Sequence, residues 1–268
     1  MTPALDPASP AALGLGPRRR PGEHAGRAGT MTRDRVSPRG SVVMMCGLPA
    51  SGKTTTAERL HGYTGGVLIR SCDVYKELGI SLPDWVRRTA GLTRDVTAYE
   101  QVRDAAYARM LSLVSERLTA GSRLVIVDAV HGESEKRTAV FDVCAAHKAD
   151  PLLLWCRCED RTEIERRLGL RRGREAEPEC EASDWSVFEH LARLWEAPTR
   201  EWSQSHAVPI LSYDTWVGRL RWLRRAWRPV SQLIENALRP GVLDRRVDKR
   251  SDPSPILRRG EPDRSQMA

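Results

Sequence analysis

Apolar residues recur along this chain in two periods, and their alternation sketches a fold. Short runs without helical spacing occur at Val42–Met45 (VVMM), Gly66–Ser71 (GVLIRS), Leu124–Asp128 (LVIVD), Pro151–Cys156 and Val208–Leu211. Runs of this length, bounded by Gly, Pro or polar residues, predict buried strands. Longer segments with a helical period lie between them. Helices are expected to start at Thr55–Leu60 and at Cys72–Leu78. In Val96–Ala120, Tyr99, Val102, Ala106, Met110, Leu113 and Leu118 fall at or near helical spacing, and Gly121 suits the C-cap. Further helices are predicted over Ser134–His147, Glu159–Arg172 and Ser183–Trp195, the last with Ser183 or Asp184 as N-cap. In Trp216–Leu238, the residues Leu220, Leu223, Trp227, Leu233 and Ile234 are spaced as one helical face. This predicts a final helix, kinked at Pro229, that covers the sheet. Strands alternating with helices predict an α/β domain of three layers. Its sheet should be mostly parallel, with about five strands and helices on both faces.

The two ends of the chain lack this pattern. Residues 1–40 are rich in Pro, Gly, Ala and Arg without periodicity, and the chain is again polar and charged after Leu238. Disordered extensions are expected at 1–40 and 239–268, around a folded domain at 41–238. Met1 and Met31 both stand as candidate starts. Charge follows the same division. The net charge of +8 separates into +4 for residues 1–40, −3 for 41–216 and +7 for 217–268. The folded middle is therefore not a broad basic surface for nucleic acid. No run approaches the roughly 18 apolar residues of a membrane span, and none at the N-terminus looks like a secretory signal. The six cysteines form no C-x-x-C pair and no spacing typical of zinc. They read as reduced thiols in a cytoplasmic protein.

One stretch carries specific chemistry. Gly47-Leu48-Pro49-Ala50-Ser51-Gly52-Lys53-Thr54 fits the G-x-x-x-x-G-K-[ST] phosphate loop at every fixed position. A predicted strand precedes it and a predicted helix follows, which is the context that motif requires. Its glycines let the backbone wrap a phosphate. The loop amides, Thr55 and the helix N-terminus then face negative charge. Lys53 should reach the β- and γ-phosphates of ATP, and the Thr54 hydroxyl should ligate Mg²⁺. No N-K-x-D motif for reading guanine is present.

Other candidates gather around this loop. Asp73 lies just past the end of a predicted strand, where ligand crevices open in α/β sheets. It is either a general base for an acceptor hydroxyl or a helix cap. Lys76, three residues on, either binds the acceptor or is a solvated charge. Asp128 ends an apolar strand, the arrangement that holds Mg²⁺ or its waters, and it also borders the acceptor. Arg167 and Arg171 share a helical face. They are either arginines of a lid at about 167–184 that clamp the transferring phosphate, or partners of Glu163 and Glu165 on a solvated helix. The loops Leu82–Asp95 and Gly173–Ala182 are candidate walls for the acceptor.

These residues together resemble the P-loop kinase-like proteins labelled AAA-type ATP-binding proteins. That group is related to polynucleotide 5′-hydroxyl kinases and zeta-toxin-type kinases. The resemblance spans Ser41–Leu238. It rests on GLPASGKTT, Cys72-Asp73-x-x-Lys76, VIVDA at 125–129, Arg167-Leu168-x-x-Arg171 and Ser183-Asp184. It implies a P-loop NTPase fold in which the Asp128 strand neighbours the phosphate-loop strand. It also implies Asp73 as general base, Lys76 as acceptor contact, and Arg167 and Arg171 as lid residues. Two departures stand out: relatives carry Arg where Lys76 stands, and Ser directly before the aspartate where Cys72 stands. The reading that follows is an ATP- and Mg²⁺-dependent phosphotransferase acting on a hydroxyl of a nucleic-acid end or a small molecule. The alternative is a nucleotide-binding regulatory ATPase with no dedicated acceptor.

Overall fold

Strand β1 (Ser41–Cys46) is buried along its whole length. A strand covered on both faces needs no polar alternation, which explains the unbroken VVMMC run. The structure is a computed structural model that describes residues 40–80, 96–172, 185–225 and 229–239. Apart from Gly40 and Arg239, the two terminal extensions lie outside the described residues. So do the loop at 82–95 and the 173–184 part of the expected lid.

Strands β2 (Val67–Arg70), β3 (Leu124–Asp128), β4 (Asp150–Arg157), β5 (Ile210–Asp214) and β6 (Arg219–Arg224) complete one sheet in the order β2-β3-β1-β4-β5-β6. The first five run parallel, and β6 lies antiparallel to β5 at the edge. Met44 sits beside Val127 on one side and Leu153 on the other. The chain leaves β1 toward β2 and β3, then crosses to β4. The phosphate loop therefore lies at the point where strand order reverses, the usual ligand position in such sheets.

The two-residue period sorts the core into layers. Val43, Met45, Leu152 and Leu154 face α1 (Lys53–Thr64) and α8 (Pro229–Leu238), meeting Ala57, Leu60, Val230 and Ile234. Val42, Met44 and Leu153 face α3 (Val96–Thr119) and α4 (Ser134–Ala146), meeting Met110, Val114, Val140 and Phe141. The short α2 (Ser71–Glu77) adds Val74 to this second layer, and Trp202 of α7 (Arg200–His206) packs there too. Helices α5 (Arg161–Arg172) and α6 (Trp185–Arg193) form a small cluster over the phosphate loop, where Ile164, Leu168 and Phe188 meet Ala50. Among the described residues, no helix is long and apolar enough to cross a membrane.

The predicted architecture is present, with one strand more than expected. The difference lies in Trp216–Leu238, which is not one kinked helix. Its first part turns and forms β6, and among its described residues Pro229–Leu238 is the helical part; Trp227 lies outside the described residues. Pro229 occupies the first helical turn, where its missing N–H is not needed. The misleading spacing has a physical source. The pairing with β5 shifts between Ile210 and Leu211, so Leu223 is an extra residue. Leu220 and Trp222 pack against the α1/α8 layer while Leu223 packs against the other. Residues three apart face opposite sides of a strand, and because both sides are covered here Leu220 and Leu223 are both apolar, which imitates the i, i+3 spacing of a helix. The hairpin before it is closed by Asp214, whose carboxylate accepts from the amides of Trp216 (3.0 Å) and Val217 (3.2 Å). Gly218 follows with φ +70°.

Candidate active site

The phosphate loop leaves β1 at Gly47, whose amide donates to Val130 O at 3.1 Å. A side chain there is impossible without rearrangement. A Cβ would lie 2.4 Å from Cys156 O and 2.6 Å from Ser51 Oγ, and φ is +152°. Gly52 holds φ +83°, and a Cβ there would meet Thr215 Oγ1 at 2.9 Å. Ala50 accepts a left-handed conformation (φ +60°) that a Cβ residue rarely takes. The backbone is thus bent around a concavity at the N-terminus of α1. Lys53 is buried, and its Nζ donates to Leu48 O at 2.8 Å, folding the ammonium back across the loop. Thr54 and Thr55 follow on the first turn. The cradle fits a polyphosphate: close backbone, amide donors, a helix N-terminus and one ammonium.

Side chains distant in sequence close this loop. Thr215, just past β5, donates from Oγ1 to Ser51 O at 2.8 Å. Arg167 on α5 donates from one terminal nitrogen to Thr215 Oγ1 (2.9 Å) and to Ala50 O (3.0 Å). Its Nε donates to Glu163 Oε1 at 2.6 Å. Glu163 also receives both arms of Arg166, at 2.7 and 2.8 Å. These two guanidinium groups, Arg166 first, hold the Glu163 carboxyl down to about 2. Both readings of Arg167 therefore meet in one side chain, since it pairs with Glu163 and touches the phosphate loop. Glu165 pairs instead with Arg161. Arg171 lies in the last turn of α5, and its side chain lies outside the described set.

A second brace comes from the loop after β3. His131 is fully buried at φ +45°, and its Nδ1 donates to Met45 O at 2.7 Å. Its carbonyl accepts from the Cys46 thiol and from Arg137 (3.0 Å), whose same nitrogen also donates to Gly132 O (2.9 Å). The end of β1 is thereby tied to the 129–132 loop just before the phosphate loop begins. Burial pushes His131 down to about 4, so the imidazole is neutral at ordinary pH. Burial likewise pushes the thiols of Cys46 and Cys156 up to about 12. They pack as small apolar groups rather than as nucleophiles.

The remaining candidates line the C-terminal edge of the sheet at different distances from the loop. Asp128 is buried at the end of β3, the neighbour of β1. Asp73 follows β2, two strands from β1, or about 10 Å sideways at ordinary strand spacing. It is the third residue of α2, whose N-cap position is held by Arg70. Both of its oxygens accept from Arg70, at 2.9 Å each. Lys76 is exposed on the same short helix. The fold therefore gathers Gly47–Thr55, Asp128 and Arg167 closely, with Asp73 and Lys76 at the margin.

Thr215 and His131 were not legible as site residues. Thr215 follows a short strand and has no motif around it. His131 precedes a glycine, which signals a turn but not a bond to Met45 O.

Beside the loop opens a cavity of ≈ 310 Å³. Leu48, Pro49 and Ser51 form one wall, the end of β4 from Trp155 to Glu159 another, and Ile164, Phe188 and Trp195 the rest. The Trp155 and Trp195 rings stack at 6.5 Å and 30°. The Arg157 guanidinium lies 4.8 Å from the Trp155 ring centre and pairs with Glu159.

A parallel sheet with a preformed phosphate cradle at its reversal point defines a P-loop nucleotide-binding protein. Residues 42–193, more than half of the chain, match the AAA domain family, and the chain belongs to it. No curated protein matches the sequence significantly. Similar solved structures include Kti12 of Chaetomium thermophilum bound to ADP-AlF3, at 18% identity over 72% of this chain and 95% of that one, with TM-score 0.47. A sugar kinase from Janibacter sp. HTCC2649 has 18% identity over 74% and 92%, TM-score 0.46. A gluconokinase from Sinorhizobium meliloti 1021 has 18% identity over 75% and 90%, TM-score 0.40. Likeness at this level carries no argument about substrate.

Proposed function

We propose that this protein is an ATP-dependent phosphotransferase that moves the γ-phosphoryl group to a hydroxyl. The observation that carries the reading is the preformed loop, with Lys53 folded over it and Arg167 anchored on its outer wall. On nucleotide binding, Lys53 exchanges Leu48 O for β- and γ-phosphate oxygens. The loop amides take the remaining charge, and Gly47 and Gly52 admit the close approach of Cys156 O, Ser51 Oγ and Thr215 that holds the loop in its curve. Thr54 and Asp128 supply hard oxygen donors of the kind Mg²⁺ prefers, and they are the residues that would hold it. Mg²⁺, when bound, offsets phosphate charge and polarises the transferring group. Arg167 keeps two ties to the loop and turns its positive charge toward the phosphoryl group. Arg171 extends the same helical face.

In the transfer itself, the acceptor oxygen bonds to Pγ while the bond from Pγ to the β–γ bridging oxygen breaks, releasing ADP. The acceptor proton passes to a carboxylate, assigned to Asp73, with Lys76 beside it contacting the acceptor. As folded, Asp73 is forked by Arg70, so the role requires that fork to open toward an acceptor. That fork is also the one observation favouring the second reading, a regulatory ATPase that needs no acceptor base.

Two measurements test the proposal. Calorimetric titration of the full chain with Mg-ATP should show binding, and Lys53→Ala should reduce affinity or turnover at least 100-fold. Absence of wild-type binding at millimolar Mg-ATP would end the reading. Asp73→Asn should lower transfer about 100-fold or more, within the usual range for a general base, while ATP binding stays intact. Full transfer by that variant would move the base elsewhere.

A further inference from the structure

We infer that the cavity beside the phosphate loop is an acceptor pocket for a neutral, ring-bearing hydroxyl compound of nucleoside size. The inference rests on the phosphotransferase reading and adds the substrate class. Four observations carry it.

The first is position. Side chains alternate along β4, so Cys156 joins the layer of α1 and Trp155 the layer of α3 and α4. The phosphates are held at the N-terminus of α1, and Thr215 and Arg167 close that side. Trp155 and Trp195 stand over the opposite layer, yet the cavity still reaches Leu48, Pro49 and Ser51 of the loop. A compartment that shares the loop and opens beside Trp155 and Trp195 suits the molecule that receives the phosphoryl group. From there its hydroxyl end extends along the sheet edge toward the loop, Asp128 and Asp73.

The second is shape. At ≈ 310 Å³ the cavity is at the small end of ligand sites. It admits one ring system with its substituents, not a length of polymer. Its aromatic walls are held in place. The Trp195 ring lies so close to the backbone of the 129–132 loop that a Cβ on Gly132 would be 3.2 Å from it. The following residue is tied down at both ends: Glu196 N donates to Gly132 O (2.9 Å), and its carboxylate accepts from Ser134 N (2.6 Å). Phe188 stacks on Trp185 at 4.9 Å. Rigid, half-buried aromatic faces favour stacking a flat ring.

The third is charge. The charged residues lining the cavity are Arg157 and Glu159, and they pair with each other. Among the described lining residues the guanidinium is already matched by a carboxylate, which favours a neutral occupant over a phosphate or carboxylate. The pair still offers one donor group and one acceptor group at the rim, as the polar edge of a base requires.

The fourth is Ser51. It is 4% exposed and lines the cavity, and its Oγ has no hydrogen-bond partner among the described residues. A buried hydroxyl left unmatched is uncommon in a folded protein. A hydroxyl or ring nitrogen of the occupant would satisfy it at the point nearest the phosphates.

The test uses the full chain with γ-labelled Mg-ATP and three probe sets: adenosine, guanosine, cytidine and uridine; glycerol and gluconate; and a 5′-hydroxyl oligonucleotide. Label should pass to a nucleoside. Exclusive labelling of the polyols or the oligonucleotide overturns the inference. Binding is read separately, without ATP, as quenching of tryptophan fluorescence by each of the four nucleosides in turn. Trp195→Leu and the milder Phe188→Leu, each checked for an unchanged circular dichroism spectrum, should raise the nucleoside KM at least tenfold and leave the ATP KM within twofold. If the ATP KM rises instead, the cavity holds the adenine of the donor and the inference is wrong. Nucleoside binding that is lost in both variants, with no transfer to any probe, would sink the phosphotransferase reading but keep the pocket. The absence of nucleoside binding in an ATP-hydrolysing wild type would sink the pocket and keep the ATP site.

Discussion

The phosphate loop and the cavity beside it share Leu48, Pro49 and Ser51 but are built in opposite ways. The loop is eight consecutive residues, and its shape is dictated locally by two glycines that no other residue can replace and by a helix that begins at Lys53. The cavity draws on β4, α5, α6 and the segment after it, from Trp155 to Trp195, set against a loop more than a hundred positions earlier. A phosphate presents the same geometry in every nucleotide, so a short rigid stretch suffices to hold it. An acceptor has no fixed shape, and its walls come from wherever the fold places large side chains. Function at the loop is therefore a backbone property, and function at the cavity a side-chain property.

That contrast breaks most readily at Gly47. Gly47→Ala should abolish measurable Mg-ATP binding in calorimetry and destabilise the domain by about 1–3 kcal/mol, the usual cost of overpacking. The added methyl would sit 2.4 Å from Cys156 O, which is backbone and cannot swing away. An active Gly47→Ala would show that the loop is softer than its contacts imply.

A smaller effect is expected where a side chain merely holds the loop in place. Thr215→Val removes the donor to Ser51 O and one acceptor for Arg167. Two hydrogen bonds at about 0.5–1.5 kcal/mol each suggest a rise of roughly tenfold in the ATP dissociation constant. An unchanged constant would mean that Arg167 and Ala50 close the loop without Thr215.

A third effect should appear in the pH dependence of stability. His131 has a folded value near 4 against 6.5 for the free side chain, because burial opposes its charge. Protonation therefore favours the unfolded chain. The contribution is fully present above about pH 6.5 and is lost progressively as pH falls through 4. Urea unfolding of wild type and His131→Gln at pH 7, 6, 5 and 4 should show a difference that shrinks on acidification. A constant difference would place a charged imidazole in the core.

How much was legible followed contact range. The strand, loop and helix of Ser41–Leu60 were readable because each residue's role depends on its immediate neighbours. The Asp128 strand lies beside β1, as the resemblance implied; its own pattern showed only a buried strand ending in an acid. Trp216–Leu238 was not readable, since both faces of β6 are covered, so its apolar residues fall three apart as well as two apart, and that cover is set by tertiary packing. Asp73 was found at the strand end as expected, but its engagement by Arg70 depends on side-chain reach rather than on spacing. Arg167 showed the same limit: its helical face was evident, and its hold on Ala50 O and Thr215 Oγ1 was not.

By itself, then, the sequence determined the layers of the domain and the chemistry of the phosphate cradle, because period and glycine geometry are local and admit few solutions. Only the tertiary structure decided that Thr215 and Arg167 close that cradle, that His131 braces it from behind, and that three aromatic rings meet beside Ser51. Those contacts join residues from 48 to 164 positions apart. Their energies appear only once the sheet has brought the strand ends together.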